Sequence, residues 1–78
     1  MQERLETPDL FKSASLLCGG AHLLETRHDG RSFFFILSGN ELFRNEVNYR
    51  SGLLKVNPLE LKNQLNSLRD LIFESKRK

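Results

Sequence analysis

Two histidines, one cysteine and a scatter of carboxylates are the residues with catalytic or metal-binding chemistry in this 78-residue chain. His22 and His28 fall six residues apart on what reads as one strand, and on the same face of it. At the usual strand rise that separates them by about 20 Å, too far to share a metal within one chain. Cys18 sits at the end of a helical pattern, where the helix dipole disfavours a thiolate. A single cysteine also rules out an intramolecular disulfide and a cysteine-based zinc site within one chain. Gly19-Gly20 follows a helix rather than opening one, and no phosphate-loop spacing occurs. Glu41 and Glu46 are five apart and diverge around their helix, while Glu25 is expected opposite Phe34 and beside Arg27 on a solvated face. These residue types give no catalytic pair, no metal set and no cofactor loop, so the expectation is a protein that is not an enzyme and takes no cofactor.

The basic residues offer more. Arg27 and Arg31 flank a turn with His28, and Arg44 and Arg50 lie on a later helix. Lys76, Arg77 and Lys78 end the sequence. A basic hairpin tip is suited to gripping phosphate. Against this, the formal charge of +2 comes from 12 basic and 10 acidic residues, and setting the last three residues aside leaves 9 against 10. The basic character belongs to the tail and not to the body, which weakens any nucleic-acid argument made from charge.

The element that must position the tip is Ala21 to Ser38, AHLLETRHDGRSFFFILS. Asp29-Gly30 between two apolar runs is a strong signal for a two-residue hairpin turn. Phe33, Phe34, Phe35, Ile36 and Leu37 suit the returning strand. With that turn, His28 faces Arg31, Thr26 faces Phe33, Leu24 faces Phe35 and His22 faces Leu37. The opposite face then gathers Leu23, Phe34 and Ile36. A sheet with one wet face alternates cleanly, and this hairpin does not. Its second apolar patch is expected either under helices of the same chain or against another chain.

Helices are expected on both sides of the hairpin. Thr7-Pro8-Asp9 reads as a helix start, with Thr7 as cap, and Leu10, Ala14, Leu17 and Cys18 recur at helical spacing. Gly19-Gly20 stops this helix. A second helix runs over about Glu41–Arg50, with Leu42, Phe43, Val47 and Tyr49 as its apolar positions. Ser51-Gly52 ends it, and Leu53–Val56 reads as a third strand or edge segment. Asn57-Pro58 opens the last helix, with Glu60 placed for a capping box and Leu61, Leu65, Leu68, Leu71 and Ile72 as its stripe, to about Ser75. The expected fold is α+β, a single small domain over residues 7–75 in the order α-β-β-α-(β)-α, with an antiparallel hairpin packed against helices. Residues 1–6 and 76–78 are expected as flexible ends. The polar N-terminus does not read as a signal peptide, no segment reads as membrane-spanning, and a lone cysteine suits a reducing cytoplasm.

Taken in order, Thr7-Pro8-Asp9-Leu10, Gly30-Arg31, Phe33–Leu37, Tyr49-Arg50-Ser51-Gly52, Val56-Asn57-Pro58 and Leu68-Arg69-Asp70-Leu71 make a pattern that resembles a family of short bacterial, archaeal and phage domains of unknown function. The resemblance covers about Thr7 to Phe73. It implies a self-contained domain with Phe33, Phe35 and Leu37 on the core face, and it transfers no activity or functional residue.

A chain this small buries a modest core, and dimerisation is a common way to add to it. The expected function is therefore a non-enzymatic interaction module, a homodimer or a binder of another protein, with Leu23, Phe34 and Ile36, or else the second helix, as its contact. The alternative is a small nucleic-acid-binding protein using Arg27, Arg31, Arg44 and Arg50.

Overall fold

The computed structural model describes residues 2–76, and the side chain of Lys76 is not among what it describes. Arg77 and Lys78 of the expected basic tail lie outside the described residues. The chain is an α+β domain with three helices and a three-stranded antiparallel sheet. Its elements are β1 (Glu3–Thr7), α1 (Leu10–Cys18), β2 (His22–His28), β3 (Phe33–Gly39), α2 (Leu42–Arg50) and α3 (Pro58–Lys76). The strand order is β1-β3-β2, so β3 is central and β1 and β2 are edges.

The third strand comes from the N-terminus and not from Leu53–Val56. Residues 3–6, expected as a flexible end, pair with β3 through Arg4↔Ser38, Leu5↔Leu37 and Glu6↔Ile36. Leu53 and Leu54 instead both give their backbone N–H to the Asn48 carbonyl, at 2.8 and 3.1 Å. Those donors are spent on closing α2, so they are lost to a ladder. The order is thus β-α-β-β-α-α.

The helix ends are local chemistry. Asp9, not Thr7, caps α1: its Oδ1 accepts from Lys12 N–H at 2.9 Å, while Thr7 Oγ1 accepts from Asp9 N–H at 3.2 Å. At the other end Ala21 N–H reaches Leu16 O at 3.0 Å and Gly20 N–H reaches Leu17 O at 3.2 Å. This is a Schellman closure, and Gly20 takes its left-handed position at φ +107°. Gly52 closes α2 in the same way. Asn57 caps α3 by accepting from Leu59 and Glu60 N–H at 2.9 and 3.2 Å. The reciprocal bond expected from the Glu60 carboxylate is not formed.

All three helices lie on one face of the sheet. The core is Ala14, Leu16, Phe35, Leu37, Leu42 and Leu68, with Leu5, Leu23, Phe33, Leu54, Leu61, Leu65 and Ile72 among those packed around it. α1 is wedged between the sheet and the other helices, so its four consecutive residues Ser13 to Leu16 are buried. The α3 stripe packs as its spacing predicts, except that Leu71 stays 41% exposed. In α2 only Leu42 is buried, and Phe43 and Val47 face outward.

The hairpin differs from the expected one at both ends. Asp29 does not take a positive φ, which a two-residue turn of the expected type needs. The loop is Asp29–Ser32, closed by Asp29 N–H to Ser32 O at 3.2 Å. Asp29 Oδ1 accepts from Arg31 and Ser32 N–H at 3.1 and 2.8 Å inside it. Pairing therefore runs His28↔Phe33, Arg27↔Phe34, Thr26↔Phe35 and Glu25↔Ile36. A shift of two residues leaves each side chain on its expected face. A bulge between Leu23 and Glu25 then reverses the faces, so that Leu23 pairs with Leu37 and joins the core side.

Candidate functional site

The face of the sheet without helices is built by alternation along the strands. β1 contributes Arg4 and Glu6, β3 contributes Phe34, Ile36 and Ser38, and β2 contributes His22, Glu25 and Arg27. Ile36 is the floor, flanked by its cross-strand partners Glu6 and Glu25. Arg27 Nη1 bonds Glu6 Oε1 at 3.1 Å, and Arg27 Nη2 lies 3.8 Å from Glu25 Oε1. Because Glu6 and Arg27 sit on opposite edge strands, that guanidinium crosses over β3. Side-chain stems laid over an apolar floor explain why Ile36 is only 6% exposed on a face that no helix covers. Arg4, Leu5, Glu6, Glu25, Arg27 and Ile36 line a cleft of about 320 Å³ there.

The expected patch of Leu23, Phe34 and Ile36 is therefore divided. Leu23 packs with the core on the helical side, Phe34 is half-buried on the open side, and Ile36 is covered. The bulge is the reason, and period-2 counting has no way to register an inserted residue. The same bulge puts His22 and His28 on opposite faces. The His28 ring lies against Phe33, centroids 6.1 Å apart.

The basic candidates are dispersed and mostly engaged. Arg27 is held by Glu6 and Glu25, Arg44 by Glu41 at 3.2 Å, and Arg50 by Glu46 at 3.0 Å. Arg31, at the loop, makes no ion pair among the described residues. Its neighbour Asp29 is held below the usual carboxylate range, chiefly by the Ser32 and then the Arg31 backbone N–H. A cationic tip thus carries a fixed anion at its centre.

A second polar cluster ties α1 to α2. Lys12 Nζ lies 2.9 Å from Glu46 Oε2, which Arg50 Nε also meets, and both side chains of the first pair are largely covered. The Lys12 hydrogen bond holds the Glu46 carboxyl below its ordinary value against the opposing effect of burial, and the Lys12 and Arg50 charges add to it. Tyr49, beside them, is pushed up by burial and by the Asp9 charge. Lys12, Glu46 and Arg50 are paired with one another, and the cluster reads as a clasp between helices. Burial also pushes the Cys18 thiol above its ordinary value, and the Glu60 carboxylate adds to it, which is the opposite of activation.

Among the described residues no group of three His, Cys, Asp or Glu is placed to hold a metal ion. No helix among them is long and apolar enough to cross a membrane. The feature that sequence reading missed is the outer edge of the hairpin. β2 is exposed at six of its seven positions and packs on β3 alone to any extent. The signal was present in its composition, HLLETRH, which has only two apolar residues to bury.

A scan against protein-family models, a search of curated proteins and a search of solved structures each found no match.

Proposed function

We propose that this chain is a non-enzymatic protein-interaction module that associates with itself through its hairpin. The observation that carries this reading is the state of β2: one side is bonded to β3, and the other side is an open edge with no helix laid along it among the described residues. Unpaired strand edges are templates for further strands. Leu24, at the bulge, is 49% exposed on that strand. The ion pairs of Arg44 and Arg50 favour this reading over nucleic-acid binding, since each of these two cations would have to leave a carboxylate to take a phosphate.

Sedimentation velocity from micromolar to millimolar protein, with amide NMR shifts followed over the same range, tests it. A concentration-dependent dimer whose shifts fall on residues 22–37 is the expected result. A monomer throughout, or shifts confined to the helices, would overturn it. Adding duplex DNA at low and physiological salt separates the nucleic-acid reading, which requires salt-sensitive shifts at Arg27–Ser32.

A further inference from the structure

Resting on the self-association proposed above, the geometry points to one docking mode: the free edge of β2 pairs antiparallel with β2 of a second copy of this chain, about a two-fold axis at Thr26.

The hydrogen-bond phase of the hairpin limits the choices. Asp29 bonds Ser32 across the loop. In an antiparallel ladder bonded and non-bonded pairs alternate. Arg27↔Phe34 and Glu25↔Ile36 are then the bonded pairs, and Thr26↔Phe35 and His28↔Phe33 are the non-bonded ones. Thr26 and His28 accordingly turn their N–H and C=O away from β3, toward the open edge. A second β2 placed with Thr26 opposite Thr26 gives each copy a bond to donate and one to accept at that pair.

Charge selects among the registers that this phase allows. With the axis at Thr26, Glu25 of each copy faces Arg27 of the other, twice, on the helix-free side of the joined sheet. Moving the axis one residue either way sets Glu25 against Glu25 or Arg27 against Arg27. Like charges directly opposite are unfavourable, and opposite charges favourable. In the Thr26 register Leu24 falls opposite His28 of the second copy, which covers an exposed leucine. The strand carries neither Lys nor Pro. Its Glu-x-Arg pair instead discriminates, favouring a copy of itself in this register over the two registers one residue away. The product is a six-stranded sheet, β1-β3-β2-β2-β3-β1, with the helices of both copies on one side. An interface of one strand per copy is small, so the association is expected to be weak and concentration-dependent.

Two charge variants and their mixture test the register. Glu25→Lys alone sets two cations against each other at both pairs, and Arg27→Glu alone sets two anions. Each is expected to weaken dimerisation roughly tenfold. An equimolar mixture of the two restores opposite charge at both pairs and is expected to form the heterodimer with about wild-type affinity. Recovery on mixing also shows that both variants fold. Thr26→Pro removes a donor that the monomer fold does not use, a change an edge strand tolerates. It is expected to leave the monomer spectrum native and abolish the dimer. A wild-type dimer that none of these changes affects would overturn the edge register and leave self-association standing. A wild-type chain that is monomeric at every concentration would overturn both.

Discussion

Glu3 Oε1 accepts a hydrogen bond from the Phe43 backbone N–H at 3.0 Å, across 40 residues of sequence. Helix α2 needs this bond, because Glu41 at its N-cap provides no side-chain cap of its own. The first strand thus finishes the helix that leaves the last strand of the sheet, and the carboxylate sits at the positive end of that helix. Glu3→Ala is expected to cost about 1 kcal/mol, as other lost caps do, and to lower the melting temperature by about 4–8 °C. Hydrogen exchange at the Phe43 amide is the direct reading. Unchanged protection there in the alanine variant would mean the bond does not cap the helix.

Glu41 itself sits at φ 57°, ψ 25°, the left-handed region, and is the only non-glycine residue there among those described. That conformation costs a residue with a Cβ about 1–2 kcal/mol, more than glycine's extra chain entropy. Glu41→Gly is therefore expected to raise stability, by roughly 0.5 kcal/mol, although it also removes an exposed pair with Arg44. The denaturant midpoint reports the sign, and a fall in it would contradict the strain argument.

The clasp between α1 and α2 predicts a pH dependence. Glu46 is held below its ordinary value, 4.5, chiefly by the Lys12 hydrogen bond. A carboxylate whose folded pKa is depressed contributes stability that is complete above its unfolded pKa and is lost as pH falls through the folded one. Stability carried by this clasp should thus hold from neutrality down to about pH 4.5 and decline below it. Glu46→Gln should flatten that part of the acid limb. A double-mutant cycle with Lys12→Met is expected to give a coupling of about 1 kcal/mol, the upper end for ion pairs, since the two side chains are only 18% and 16% exposed.

How far the sequence reached depended on whether the controlling interaction was local. The stops at Gly20 and Gly52, the Asn57 cap and the α3 stripe are set by residues within one turn of each other, and all were legible. β1 was not, because Glu3–Thr7 has a single strongly apolar residue, Leu5. As an edge strand it shows the core only Leu5 and Thr7. Leu16 was missed for the opposite reason: α1 is enclosed by sheet and helices, so residues off its stripe are buried too. The split of Leu23 from Phe34 and Ile36 turns on one inserted residue, whose cause lies in how β2 meets β3 and not in any local motif. The free β2 edge followed only once the sheet order was known.

Among the described residues of α3, Leu68 alone reaches full burial, at 1% exposure, in the core shared with α1 and β3. Leu68→Ala is expected to cost roughly 3 kcal/mol, from lost transfer energy and the cavity left behind. In a chain of this size that is a large part of the total stability. Leu71→Ala, three residues on and outward-facing, is expected to stay within about 0.5 kcal/mol. Urea titrations of the pair would show whether α3 is held by one stripe or by two, since equal losses would mean that the outer leucine is also packed.

The bulge makes the last prediction, because it gives two adjacent leucines opposite tasks. Leu23 pairs with Leu37 and packs on the core, while Leu24 is 49% exposed at the outer edge. Without the bulge, alternation would exchange them. Leu23→Ala is therefore expected to destabilise the monomer by about 1–2 kcal/mol, less than a fully buried leucine, and to leave the dimer constant of the folded fraction unchanged. Leu24→Ala is expected to leave monomer stability within about 0.5 kcal/mol and to weaken the dimer by removing the side chain that would meet His28 of the second copy. Thermal unfolding at low concentration and sedimentation at high concentration read the two effects separately. The reverse assignment, with Leu24 carrying the stability, would place the bulge elsewhere in β2, and with it the phase of the free edge on which the Thr26 register depends.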